Sequence, residues 1–126
     1  MSTLLTEVEL ELMNILWQLE KATVKEVLSQ LPKERNLAYT TVATVMKILE
    51  QKGFLKCQKE SFAHTFSPAV SKKEYEGTCL DHVVENVFDG QRVALVQRLL
   101  DAKTLRKDEV QAIEAALKKL AGRKRK

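Results

Sequence analysis

Apolar residues recur along this chain first at a helical period, then in alternation, then at a helical period again. Val8, Leu12, Ile15, Leu16 and Leu19 stand three or four apart, with Leu10, Met13 and Trp17 as a second apolar line. A helix apolar on more than one side is expected between partners rather than at a surface. Thr6-Glu7-Val8-Glu9 opens it as a capping box, and the acidic first turn suits the positive helix end. Thr23-Val24-Lys25-Glu26 repeats that signal, and Val24, Val27, Leu28 and Leu31 then give a one-sided stripe until Pro32 stops it. After the polar loop Lys33-Glu34-Arg35-Asn36, a third helix is predicted from about 37–40 to Gln51, with Gly53 as its C-terminal cap.

At 100° per residue, Ala38, Val42, Val45, Met46 and Leu49 of this third helix share one side. Thr40, Thr44, Lys47 and Gln51 point the opposite way, with Thr41 and Ile48 on a flank. Solvated helix faces usually mix Glu with Lys. This one carries hydroxyls, an amide and an ammonium, which can approach phosphates and base edges without repulsion. Beyond Gly53 the period falls to two. Residues 54–59 and 62–67 read as short strands joined by a turn near Glu60-Ser61, ended by Pro68. The expected fold class is mainly α with a small β-hairpin, in the order of a winged helix-turn-helix.

From Ser71-Lys72-Lys73-Glu74, a third capping box, the chain is helical again. Tyr75, Cys79, Leu80, Val83, Val84, Val87 and Phe88 form a stripe stopped by Asp89-Gly90. Val93, Leu95, Val96, Leu99 and Leu100 form a second, and Val110, Ile113, Leu117 and Leu120 a third. A compact bundle of 56 residues cannot bury all three, so the expected partner is a second copy about a two-fold axis. The expected division is a reader over 1–70 and a helical dimerisation region over 71–126. Pairing is assigned to Val83, Val84, Val87, Phe88, Leu95, Leu99, Ile113 and Leu117.

The 126 residues are 44% hydrophobic and 30% charged, as in folded globular chains rather than disordered ones. The net charge of +4 matters only once it is located. The first twenty residues hold four Glu and no basic group, whereas 21–59 hold eight basic groups against three acidic ones. Such a polarised surface suits a polyanion on one side. The tail Arg123-Lys124-Arg125-Lys126 adds four more positive charges, expected either to be free or to reach phosphates. The start lacks a basic secretory n-region, and no apolar run approaches the roughly 18 residues that span a bilayer. Cys57 and Cys79 read as reduced thiols, and the expected location is cytoplasmic.

The sequence resembles the penicillinase and methicillin-resistance repressor family, with which the copper-operon repressors are grouped. The likeness rests on Leu4–Trp17, on Leu37-Ala38-Tyr39-Thr40-Thr41-Val42 and on Lys52-Gly53-Phe54-Leu55. It continues through Ala63-His64-Thr65-Phe66-Ser67-Pro68 and 89–100. It implies a homodimeric repressor on a palindromic double-stranded operator, with the third helix in the major groove and the wing at the backbone or minor groove. The base-facing residues implied are Thr40, Thr41, Thr44 and Lys47. Lys25, Lys56 and Lys59 are candidate phosphate contacts. The resemblance also implies release when a membrane metalloprotease sensor cuts the dimerisation region, commonly at Asn-Phe. The matching position here is Arg98-Leu99, a departure that separates this chain from the familiar signal. The wing turn Glu60-Ser61-Phe62 departs too, lacking the usual Gly and Arg. No C-terminal cysteine cluster is present for copper.

Other chemistry is not expected. Cys79 and His82 could share a metal, but zinc needs three or four ligands, and Cys57 and His64 belong to the predicted hairpin. No oxyanion loop accompanies either Cys, so neither catalytic residues nor a cofactor are assigned. The competing function is a winged-helix dimer used as a protein-interaction scaffold. A steep fall of DNA affinity with salt separates the two.

Overall fold

The computed structural model describes residues 4–60, 62–101 and 105–124. Among them the order is α1 (Glu7–Leu19), α2 (Val24–Gln30), a 3-10 turn (Lys33–Arg35), α3 (Tyr39–Gln51), β1 (Leu55–Glu60), β2 (Ala63–Pro68), α4 (Lys72–Asn86), α5 (Arg92–Leu100) and α6 (Lys107–Lys124). This is mainly α with one antiparallel hairpin. Three expectations fall partly outside the described residues: the chain start, at Met1–Thr3, the turn residue Ser61, and Arg125 and Lys126 of the tail. No helix of the described residues is long and apolar enough to cross a membrane.

Two compact units divide the chain, residues 1–81 and 82–126, and the division falls within α4. In the first, α1 packs on α2, α3 and β2. Leu12, Met13 and Leu16 of α1 meet Val27 of α2 and Val42, Met46 and Leu49 of α3, all fully buried. Burying side chains of this size contributes about 1.5–3 kcal/mol each. The first two expected capping boxes form: Thr6 accepts from the Glu9 N–H while Glu9 accepts from the Thr6 N–H, and Thr23 and Glu26 do the same. Asn36, left-handed at φ 46°, closes the link between α2 and α3.

The start of α3 differs from the expected inner face. Ala38 is its extended N-cap residue and is exposed, so it adds nothing to the core. The end is a Schellman arrangement. Gly53 is left-handed at φ 89°, its N–H donates to the Glu50 carbonyl, and the Phe54 N–H donates to the Leu49 carbonyl. Phe54 therefore completes the helix cap, and β1 begins one residue later than the alternation suggested. The register pairs Leu55 with Pro68 and Glu60 with Ala63, so Glu60 belongs to β1 rather than to the turn, and Phe62 lies beyond the strands. A bridge between Ala22 and Phe66, with N–H···O distances of 3.0 and 2.8 Å, pins β2 to the segment before α2.

Tyr75, the first apolar residue of α4, belongs to the core of this unit. Its ring meets Phe54 edge-on at 5.9 Å and Trp17 at 6.0 Å, and its hydroxyl accepts from the Leu5 N–H at 2.7 Å. Ser71 and Glu74 cap α4 as expected. In the second unit α4 ends at Asn86, and Asp89 and Gly90, both at positive φ, turn the chain into α5. Val84 is buried in a single chain. Val87, Leu99 and Leu117 are exposed, as are Val93, Val96, Leu100 and Leu120, while Val83, Phe88, Leu95 and Ile113 are half-buried.

Candidate nucleic-acid interface

Because Val42, Met46 and Leu49 turn into the core, α3 presents Thr40, Thr41, Thr44, Lys47, Ile48 and Gln51 outward, all exposed. Its first turn holds no acidic residue, and no side chain caps it. The free N–H groups of that turn and the positive end of the helix dipole suit an anion. The Thr44 hydroxyl donates to the Thr40 carbonyl at 2.8 Å, which leaves its lone pairs and methyl group for a partner.

The basic residues of 21–59 divide into two sets. Lys21 pairs with Glu60 at 2.6 Å, Arg35 with Glu11 at 2.9 Å and Lys52 with Glu9 at 2.7 Å. These three link the acidic first helix, the connecting loops and the wing. Lys25, Lys33, Lys47, Lys56 and Lys59 form no ion pair among the described residues, and this set includes all four lysines singled out from the sequence. Glu9 is buried. Burial alone would raise its carboxyl pKa, but the Lys52 ammonium and the Thr6 N–H outweigh it and hold the group below its usual range.

Between α2, α3 and the hairpin lies an open groove of about 780 Å³. Lys25, Lys47 and Lys59 line it from three different elements, with Tyr39, Phe62 and His64 beside them and Glu50 as its one carboxylate. Side chains alternate across the hairpin, so Cys57, Lys59, Phe62, His64 and Phe66 share the groove side. Lys56 and Gln58 take the other face. The structure thus gathers Lys25, Lys47 and Lys59 and leaves Lys56 apart from them. Thr40, Thr44 and Gln51 do not line the groove and form the ridge next to it.

Tyr39 and His64 were not legible as members of this surface. His64 stands opposite Lys59 only once the strand register is known, and alternation alone leaves the register open. Cys57 Sγ lies 3.6 Å from His64 Nδ1. Burial pushes the thiol pKa up and the Glu50 carboxylate adds to this, against the smaller pull of Lys59 and Lys47. A thiol so placed is a poor nucleophile. Among the described residues no group of three or more His, Cys, Asp or Glu gathers as a metal would need.

Helices α1–α3, a hairpin tied to the segment before α2, and an acid-poor outer helix face together define a winged helix-turn-helix protein. The chain belongs to the penicillinase repressor family, whose model matches residues 5–119. The transcriptional regulator BlaI of Mycobacterium tuberculosis is 31% identical over 120 residues, covering 94% of this chain and 86% of that protein. A penicillinase repressor of Bacillus licheniformis is 22% identical over 121 residues, covering 96% and 94%. The solution structure of the DNA-binding domain of the repressor BlaI superposes with a TM-score of 0.51 at 27% identity. That match covers 56% of this chain and 87% of that domain. The family is one of transcriptional repressors rather than enzymes.

Proposed function

We propose that this chain is a cytoplasmic homodimeric transcriptional repressor that binds a palindromic operator. In this reading α3 enters the major groove, with Thr40, Thr41, Thr44, Lys47 and Gln51 at the base edges and Lys25, Lys56 and Lys59 on phosphates. The observation that carries it is the division of charge: the scaffold neutralises Lys21, Arg35 and Lys52 and leaves Lys25, Lys47 and Lys59 open around one groove. Two copies would address half-sites about 34–36 Å apart or at multiples of that. The apolar residues that α5 and α6 leave exposed in one chain support pairing.

With about eight phosphates neutralised per dimer, the log–log slope of affinity against salt is expected near roughly −7. Fluorescence anisotropy on a promoter duplex across a salt series measures it, and a flat response would favour the scaffold role instead. Release by a metalloprotease, the family mode, would fall at Arg98-Leu99, both exposed on α5. Cleavage needs an extended backbone, so the end of α5 must unwind first. Mass spectrometry after co-expression with a membrane metalloprotease tests this: fragments ending at Arg98 support it, and an intact chain removes it.

A further inference from the structure

We propose that Phe62 is the wing's contact with DNA, an apolar one made to the sugars of the minor groove, where a charged contact would be the ordinary solution. The inference rests on the reading of α3 as a duplex-binding helix and adds a residue that reading does not use. The hairpin register pairs Glu60 with Ala63, so Phe62 falls in a two-residue connection rather than in a strand. Two-residue turns favour Asn, Asp and Gly, which supply positive φ or local hydrogen bonds. A phenyl ring supplies neither.

The Phe62 side chain has no packing partner in the chain, with a relative exposure of 105%. A large apolar group that serves neither turn nor core, at the end of the hairpin, breaks the local rules in the way functional positions do. Its surroundings say what covers it. Lys59 stands opposite His64 just behind the turn, and Lys25 and Lys47 line the same groove. The acid nearest the turn, Glu60, is neutralised by Lys21 at 2.6 Å. A polyanion is therefore attracted on the groove side, where Lys25, Lys47 and Lys59 outnumber Glu50 and the Glu60 carboxylate is already paired. Minor-groove sugars and base edges offer an apolar ring the contact that phosphates cannot.

Charge contacts weaken with salt through counterion release, whereas an apolar contact does not. The test uses the full chain and a duplex selected by the wild-type protein from a random pool, with Kd measured across a salt series. Phe62→Ala is expected to weaken binding about tenfold at every salt concentration with the slope unchanged, as half-burying a ring implies. Phe62→Leu should keep most of the affinity, and Lys59→Ala should lower the slope by about one. Hydroxyl-radical protection of sugars flanking each half-site should vanish in Phe62→Ala. Wild-type affinity for Phe62→Ala, or a loss confined to low salt, overturns the wing contact alone. Failure of the wild-type protein to bind any duplex in a salt-dependent way overturns the reading of α3, and the wing contact with it.

Discussion

Lys47 has the most to reveal at the scale of single residues. It stands between the outer ridge of α3 and the groove, with no carboxylate partner among the described residues. Lys47→Ala is expected to weaken operator binding by roughly 1–3 kcal/mol if the ammonium reads a base. Anisotropy on operator and on random duplex separates the cases, since equal losses on both would mean a phosphate contact. Glu9 makes the opposite use of charge, being buried, hydrogen-bonded to the Thr6 N–H at 2.8 Å and paired with Lys52. Its carboxyl is held below the usual range, so the folded state favours the ionised form. That stabilisation is complete above the ordinary carboxyl pKa and is lost as pH falls through the lower folded value. Glu9→Gln is therefore expected to cost about 1–2 kcal/mol at neutral pH and progressively less as pH falls below the usual carboxyl range. Thermal melts of both proteins across an acid pH series measure this, and a cost that does not change with pH would assign the loss to shape rather than charge.

Two glycines show how a single residue type acts with opposite sign in different elements. Gly53 sits at φ 89° where α3 gives way to the hairpin, and a methyl group there would meet nothing within 4 Å. Gly53→Ala is expected to destabilise by about 1–2 kcal/mol, from the left-handed backbone alone. Gly77 lies within α4, also with open space, and Gly77→Ala should stabilise by roughly 0.5–1 kcal/mol. Chemical denaturation of the pair checks both signs. Helices α1–α4 were legible because each carries its own punctuation: capping boxes at Thr6, Thr23 and Ser71, Pro32 after α2 and Gly53 after α3. The hairpin was misplaced by one residue because Phe54 is apolar enough for a strand while its N–H serves the Schellman cap. Of the candidate surface, the outer face of α3 follows from periodicity alone. The joining of Lys25, Lys47 and Lys59 does not, since it depends on how the hairpin docks, β1 on α3 and β2 on α2, a tertiary fact with no local signature.

At the scale of the whole molecule, one chain leaves Val87, Leu99 and Leu117 in contact with solvent while burying Val84. Val93, Val96, Leu99 and Leu100 are all exposed on α5 alone, and a second copy would cover such a run together with Val87 and Leu117. On the proposed pairing, Val87→Asp or Leu99→Asp would place a charge between the two copies and is expected to give monomers in sedimentation. An unchanged mass would remove these residues from the pairing surface. Binding should follow mass. A monomer carries one α3 and one groove, so its salt slope should drop to about half of the dimer's roughly −7. The fold of the reader should be untouched, because its core from Leu12 to Tyr75 contains neither Val87 nor Leu99. Circular dichroism can verify that separately. A monomeric variant that kept the full slope would mean that one copy meets all the phosphates. The exposed stripes would then need a partner other than a second chain.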